Sequence, residues 1–144
     1  GKLLTLLDYI EAELKPDPAR IYLTGLSMGG FGVWMLGIRH PQRFAALAPV
    51  CGGGRIADVA AAEQQHPEVL KTLGVWAFHG KKDRIVPLEE SERMIDAFKK
   101  AGNNNVKLTV YPDAQHDSWT ETYKNEELYK WFLEHTRPQN KKAK

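Results

Sequence analysis

Arg20-Ile21-Tyr22-Leu23-Thr24-Gly25-Leu26-Ser27-Met28-Gly29-Gly30 is the stretch that decides how this chain folds. Residues 20–24 form a short run with β-forming side chains, bounded by proline and glycine, and read as a buried strand. Residues 25–29 have the form G-x-S-x-G. A turn over 25–30 leads into a helix from Phe31 to Arg39, with Phe31, Trp34, Met35 and Ile38 set towards a core. A serine at such a strand–turn–helix corner needs a strained backbone to stand free at the end of the sheet, and small neighbours let strand and helix approach closely. Gly30 and Gly32 extend that small-residue packing. The helix N-terminus also puts the Met28 N–H where a tetrahedral oxyanion would form. A phosphate-binding loop would want a lysine beside the glycines, and the next basic residue is Arg39.

Outward from this corner the pattern alternates. An apolar stripe at Leu3, Leu6, Leu7, Ile10 and Leu14 predicts a helix, stopped by Pro16 and Pro18. Phe44–Val50 predicts a second strand and Gly52-Gly53-Gly54 a loop. Residues 56–71 are weakly helical with a break near Pro67. Val75–His79 predicts a third strand. Leu88–Ala101 predicts an amphipathic helix with Met94, Ile95 and Phe98 inward, ended by Gly102-Asn103. Val106–Tyr111 predicts a fourth strand, and residues 125–135 a last helix with Leu128, Trp131 and Phe132 on one face. Alternating strands and helices predict one α/β domain over residues 1–136: a parallel sheet flanked by helices. The basic run 137–144 is expected to be a flexible tail.

The 144 residues carry 20 basic and 18 acidic side chains, a net charge of +2. That balance argues against nucleic acid as a partner. The single cysteine, Cys51, excludes an intrachain disulfide framework. No apolar stretch is long enough to span a membrane, and no signal peptide is visible. Localisation stays open.

A serine nucleophile needs a base within hydrogen-bond reach and a third group that orients it. Of five histidines, His116 follows the fourth strand and so lies at the same end of a parallel sheet as Ser27. His79, at the end of the third strand, is expected to be a partly buried structural ring. His40 reads as a helix stop, and His66 and His135 as surface residues. For the acid, Asp83 follows the third strand, with Lys81, Lys82 and Arg84 beside it to favour ionisation. Asp58 is the runner-up, while Asp113 and Asp117 read as polar loop residues. Such a site needs no organic cofactor and no metal.

These segments together (residues 20–30, His79-Gly80-Lys81-Lys82-Asp83, and His116-Asp117-Ser118-Trp119) resemble the α/β-hydrolase superfamily. More narrowly they resemble its dienelactone-hydrolase, phospholipase/carboxylesterase and polyhydroxybutyrate-depolymerase-like esterases. The resemblance covers residues 1–136 and implies Ser27 as nucleophile, Asp83 as acid, His116 as base and the Met28 N–H as an oxyanion donor. The order Ser27, Asp83, His116 is the order of that superfamily. It implies a serine carboxylester hydrolase acting on a small-molecule ester through an acyl-enzyme. A peptidase or thioesterase would use the same groups, and an impaired fragment or interaction module is the reading from another class. Trp119 and Trp76 are candidates to line an acyl or alcohol pocket, with core packing the competing role. The departure is at the front: the superfamily places several strands before the nucleophile strand, and a preceding loop gives the second oxyanion N–H. The resemblance therefore covers the C-terminal portion of the fold. It predicts that the open edge of the strand at 21–24 is paired by a preceding segment or, most simply, by a second copy.

Overall fold

The computed structural model describes residues 1–137 and contains a four-stranded, all-parallel sheet in the order β1-β2-β3-β4. The strands are β1 (Tyr22–Leu26), β2 (Ala46–Val50), β3 (Gly74–Gly80) and β4 (Val106–Tyr111). Every residue of β2 and β3 is buried, as expected for inner strands covered on both faces, whereas β1 and β4 are only partly covered. The expectation of a buried first strand fails, since no residue of β1 is buried and Leu26 is 38% exposed, while β1 does stand at the sheet edge among the described residues. It also runs two residues further than predicted. Gly25 belongs to the ladder, opposite Pro49 of β2, and carries pairing up to the serine.

The helices are α1 (Lys2–Leu14), α2 (Met28–Arg39), α3 (Ile56–Gln65), α4 (Pro67–Thr72), α5 (Glu89–Lys100), α6 (Trp119–Lys124) and α7 (Glu126–Glu134), with a 3-10 turn at Pro41–Arg43. On one face of the sheet, Trp34, Ile38, Leu47, Leu70, Val75, Met94 and Phe98 form a core from α2, α4 and α5. On the other, Val50, Trp76, Phe78, Leu128, Trp131 and Phe132 form a second core under α7. Trp76 is a core residue: its indole donates to Thr109 Oγ1 at 2.8 Å and Lys107 Nζ sits 3.5 Å above its ring. It is not available to line a pocket.

α2 starts at Met28, three residues before the sequence suggested. Its glycines are poor helix formers, but close packing on β2 overrides propensity. Its buried face is Gly30, Val33, Trp34, Gly37 and Ile38. Phe31 and Met35, predicted inward, are 39% and 43% exposed because that small-residue face, not the bulkiest one, is turned to the sheet. α1 departs further. It has no buried residue; Leu7 packs on the core, and Arg43 pairs with Asp8 and Glu11 at 2.8 Å. Leu3, Leu6, Ile10 and Leu14 of its apolar stripe stay exposed.

The start of β1 is strapped by the end of the chain. Arg20 donates to Leu133 O at 3.1 Å, Tyr22 Oη to His135 O at 3.0 Å, and the Arg137 N–H to Ala19 O at 3.0 Å. Of the predicted tail at 137–144, Arg137 is thus seen bonded, and residues 138–144 lie outside the described residues.

Candidate active site

Ser27 stands between β1 and α2 with φ 51° and ψ −116°, a left-handed conformation that a non-glycine residue adopts only under constraint. The constraint is visible. Its N–H donates to Val50 O at 2.9 Å, with Cys51 Sγ at 3.3 Å, and its carbonyl accepts the Phe31 N–H at 3.1 Å to open α2. A Cβ on Gly25 would lie 2.7 Å from Gly29 O, and one on Gly30 would lie 2.5 Å from Val50 O. Between Gly25 and Gly32 these two glycines are the ones sterically required. A Cβ on Gly29 or Gly32 would meet nothing, so the packing role expected for each of them is not found.

Asp83 lies in the loop between β3 and α5, with its side chain shielded from solvent. One carboxylate oxygen accepts the N–H groups of Ile85 and Val86, both at 2.9 Å. The other accepts His116 Nδ1–H at 2.8 Å. Burial works against ionisation, but the hydrogen bonds from His116, Val86 and Ile85 outweigh it and hold the carboxyl below its ordinary value of 3.8. The neighbouring cations do not do this: Lys82 turns outward to Asp113 at 2.8 Å.

His116 sits in the loop after β4. Gly80 makes room for that loop, since a Cβ there would collide with Gln115 O. Lys82 N–H also ties to Ala114 O at 3.0 Å. The ring's Nε2 is 2.9 Å from Ser27 Oγ. With Nδ1–H committed to Asp83, Nε2 is the acceptor and the serine hydroxyl the donor. The structure thus brings Ser27, His116 and Asp83 into one line of hydrogen bonds. Such a line can take a proton from Ser27 while the buried carboxylate holds the ring and steadies its charged form.

The Met28 N–H, in the first turn of α2, meets no acceptor among the described residues and is free for a ligand. Trp119 sets its ring edge-on to His116, with centroids 5.5 Å apart at 85°. Asp58 is not at the site: it lies in α3 and pairs with Arg39 at 3.3 Å. Asp117 accepts the Thr120 N–H and so caps α6.

Two further residues lie near the site: Cys51, which has no role in the sequence reading, and His79, which that reading makes a structural ring. Cys51 ends β2 as Ser27 ends β1, also left-handed at φ 40°, and is buried. Its sulfur, an Asp83 oxygen and a His116 nitrogen lie within 4.8 Å of one another. The set does not fit a metal centre, because Asp83 and His116 are bonded to each other. Burial also pushes the Cys51 thiol up, away from the thiolate that binds metals. His79 is wholly, not partly, buried. Position just beyond a neighbouring inner strand was the available signal for Cys51; nothing local marks the partners of His79.

The sequence profile of the prolyl oligopeptidase family matches residues 55–139, a span that holds both Asp83 and His116. The chain belongs to the prolyl oligopeptidase family. A carboxymethylenebutenolidase-type protein of Salmonella typhimurium is 32% identical over 69% of this α/β-hydrolase chain, which spans only 37% of that relative's length. A solved thermostable esterase is 34% identical with a TM-score of 0.78, over 94% of this chain and 37% of its own. An acyl-protein thioesterase from Zea mays (19% identical, TM-score 0.72, covering 88% of this chain and 62% of its own) shares the fold.

Proposed function

We propose that this serine hydrolase cleaves carboxylic esters of small molecules through an acyl-enzyme on Ser27. The observation that carries the reading is the continuous path Ser27 Oγ to His116 Nε2 at 2.9 Å and His116 Nδ1 to Asp83 at 2.8 Å. In this reading His116 takes the hydroxyl proton as Ser27 attacks the ester carbonyl. The Met28 N–H receives the oxyanion at the positive end of α2. His116 then returns the proton to the departing alkoxide, and water, activated by the same ring, frees the acid. Asp83 stays ionised throughout.

A fluorophosphonate probe tests this directly. Wild type labels at a single site, and Ser27→Ala does not. A wild type that fails to label sinks the reading in favour of a non-catalytic module. Thioester and peptide bonds differ only in the leaving group, so parallel assays of p-nitrophenyl esters, an acyl thioester and a peptide anilide rank the three. The outer edge of β1 has no strand partner among the described residues. The same reading therefore includes a pairing strand there, from a second copy in the simplest case. Sedimentation that finds an active, soluble monomer refutes that part.

A further inference from the structure

His79 is a buried ionisable side chain that the proposed reaction does not use. It is fully shielded, yet both ring nitrogens are engaged. Nε2 lies 2.8 Å from Val86 O. A carbonyl only accepts, so Nε2 carries a proton and donates it. That same nitrogen is 3.4 Å from the Asp83 oxygen that holds His116. Nδ1 lies 2.8 Å from Ser91 Oγ on α5, and Ser91 Oγ is 3.2 Å from Gly52 O.

The backbone of Val86 is therefore gripped on both sides, in the two peptide units that flank its Cα. Its N–H is held by Asp83 and its C=O by His79. Releasing the carbonyl would loosen the residue whose N–H, with that of Ile85, fixes one Asp83 oxygen. It would also remove the second N–H facing the other oxygen. Resting on the Ser27 reading above, we propose that His79 is a positioning residue for the Asp83–His116 pair and acts through its Nε2–H. Its Nδ1 contact with Ser91 ties β3 to α5 and is not needed for that role.

The two halves of the ring can be separated by substitution. The side-chain amide of Gln reaches the Nε2 position and that of Asn the Nδ1 position. His79→Gln can keep the bond to Val86 O, while His79→Asn can keep only the bond to Ser91. Both are of similar bulk, and comparable shifts in melting temperature are expected.

The readouts are ester turnover and the low-field proton resonance of His116 Nδ1–H against Asp83, which needs no turnover. His79→Asn lowers kcat by about 10²-fold at unchanged KM, as a misplaced catalytic group does, and shifts or loses the resonance. His79→Gln retains the resonance and keeps kcat within roughly threefold. Ser91→Ala keeps both. Equal behaviour of the Gln and Asn variants, or loss of the resonance in Ser91→Ala, overturns the assignment. If both His79 variants unfold, the Ser91→Ala resonance still decides: retained, it supports the Nε2 role. A wild type that shows the resonance but no turnover refutes the ester reading and leaves the His79 result readable from the resonance alone.

Discussion

The carboxyl end of the sheet and helix α1 are built on opposite principles. At the sheet end, Ser27, Asp83 and His116 are each held by two or more named hydrogen bonds or by backbone contacts that tolerate no extra atom. α1 is held by Leu7 and by ion pairs to Arg43, while Leu14 is 75% exposed. In the first region, position is fixed at the scale of a single atom. In the second, an amphipathic pattern is present but touches little. Hydrophobic periodicity tells which face a helix prefers to bury, not whether this chain buries it.

Substitutions can break that contrast. The largest effect is expected for Ser27→Ala, which should lower ester turnover by about 10⁴-fold or more while leaving urea-unfolding stability near wild type. Ser27→Gly should lose activity equally but gain about 1 kcal/mol, because glycine relieves the left-handed strain. Gly80→Ala comes next. Its Cβ meets the Gln115 and Ala114 carbonyls, so about 1–3 kcal/mol of stability should be lost together with most activity as the His116 loop shifts.

A pH series sharpens the same point. Asp83 is held below 3.8 in the fold, so its ionised form stabilises the native state above the unfolded carboxyl value. That contribution falls away as the pH drops below 3.8 and through the folded value. Asp83→Asn should therefore flatten the acid limb of stability against pH, read by denaturant unfolding at stepped pH. An unchanged limb would contradict it. The smallest effect belongs to α1: Leu6→Gln and Leu14→Gln should each change the stability of the isolated chain by less than about 0.5 kcal/mol and leave turnover alone.

How much of this was legible follows the same division. Ser27 was readable because its constraint is local and written in adjacent glycines. Asp83 and His116 were readable because parallel strands put their following loops at one end. The agents that lower the Asp83 carboxyl were not. Lys82 pairs instead with Asp113, and beside the expected His116 the work is done by the Ile85 and Val86 N–H groups. Phe31 and Met35 are bulky and so read as core residues, whereas Gly30 and Gly37 set how α2 sits. α6 was missed because it is one short turn-and-a-half within a polar loop, although Ser118-Trp119-Thr120-Glu121 carries the start signal S-x-x-E.

The strap across the start of β1 has a consequence for the order of assembly. Tyr22 and His135 are 113 residues apart in the chain. Its anchors at Leu133, His135 and Arg137 leave the ribosome more than a hundred residues later, so the nucleophile strand must wait, made but unfastened, until they emerge. During synthesis the serine corner is thus made well before its strand is secured.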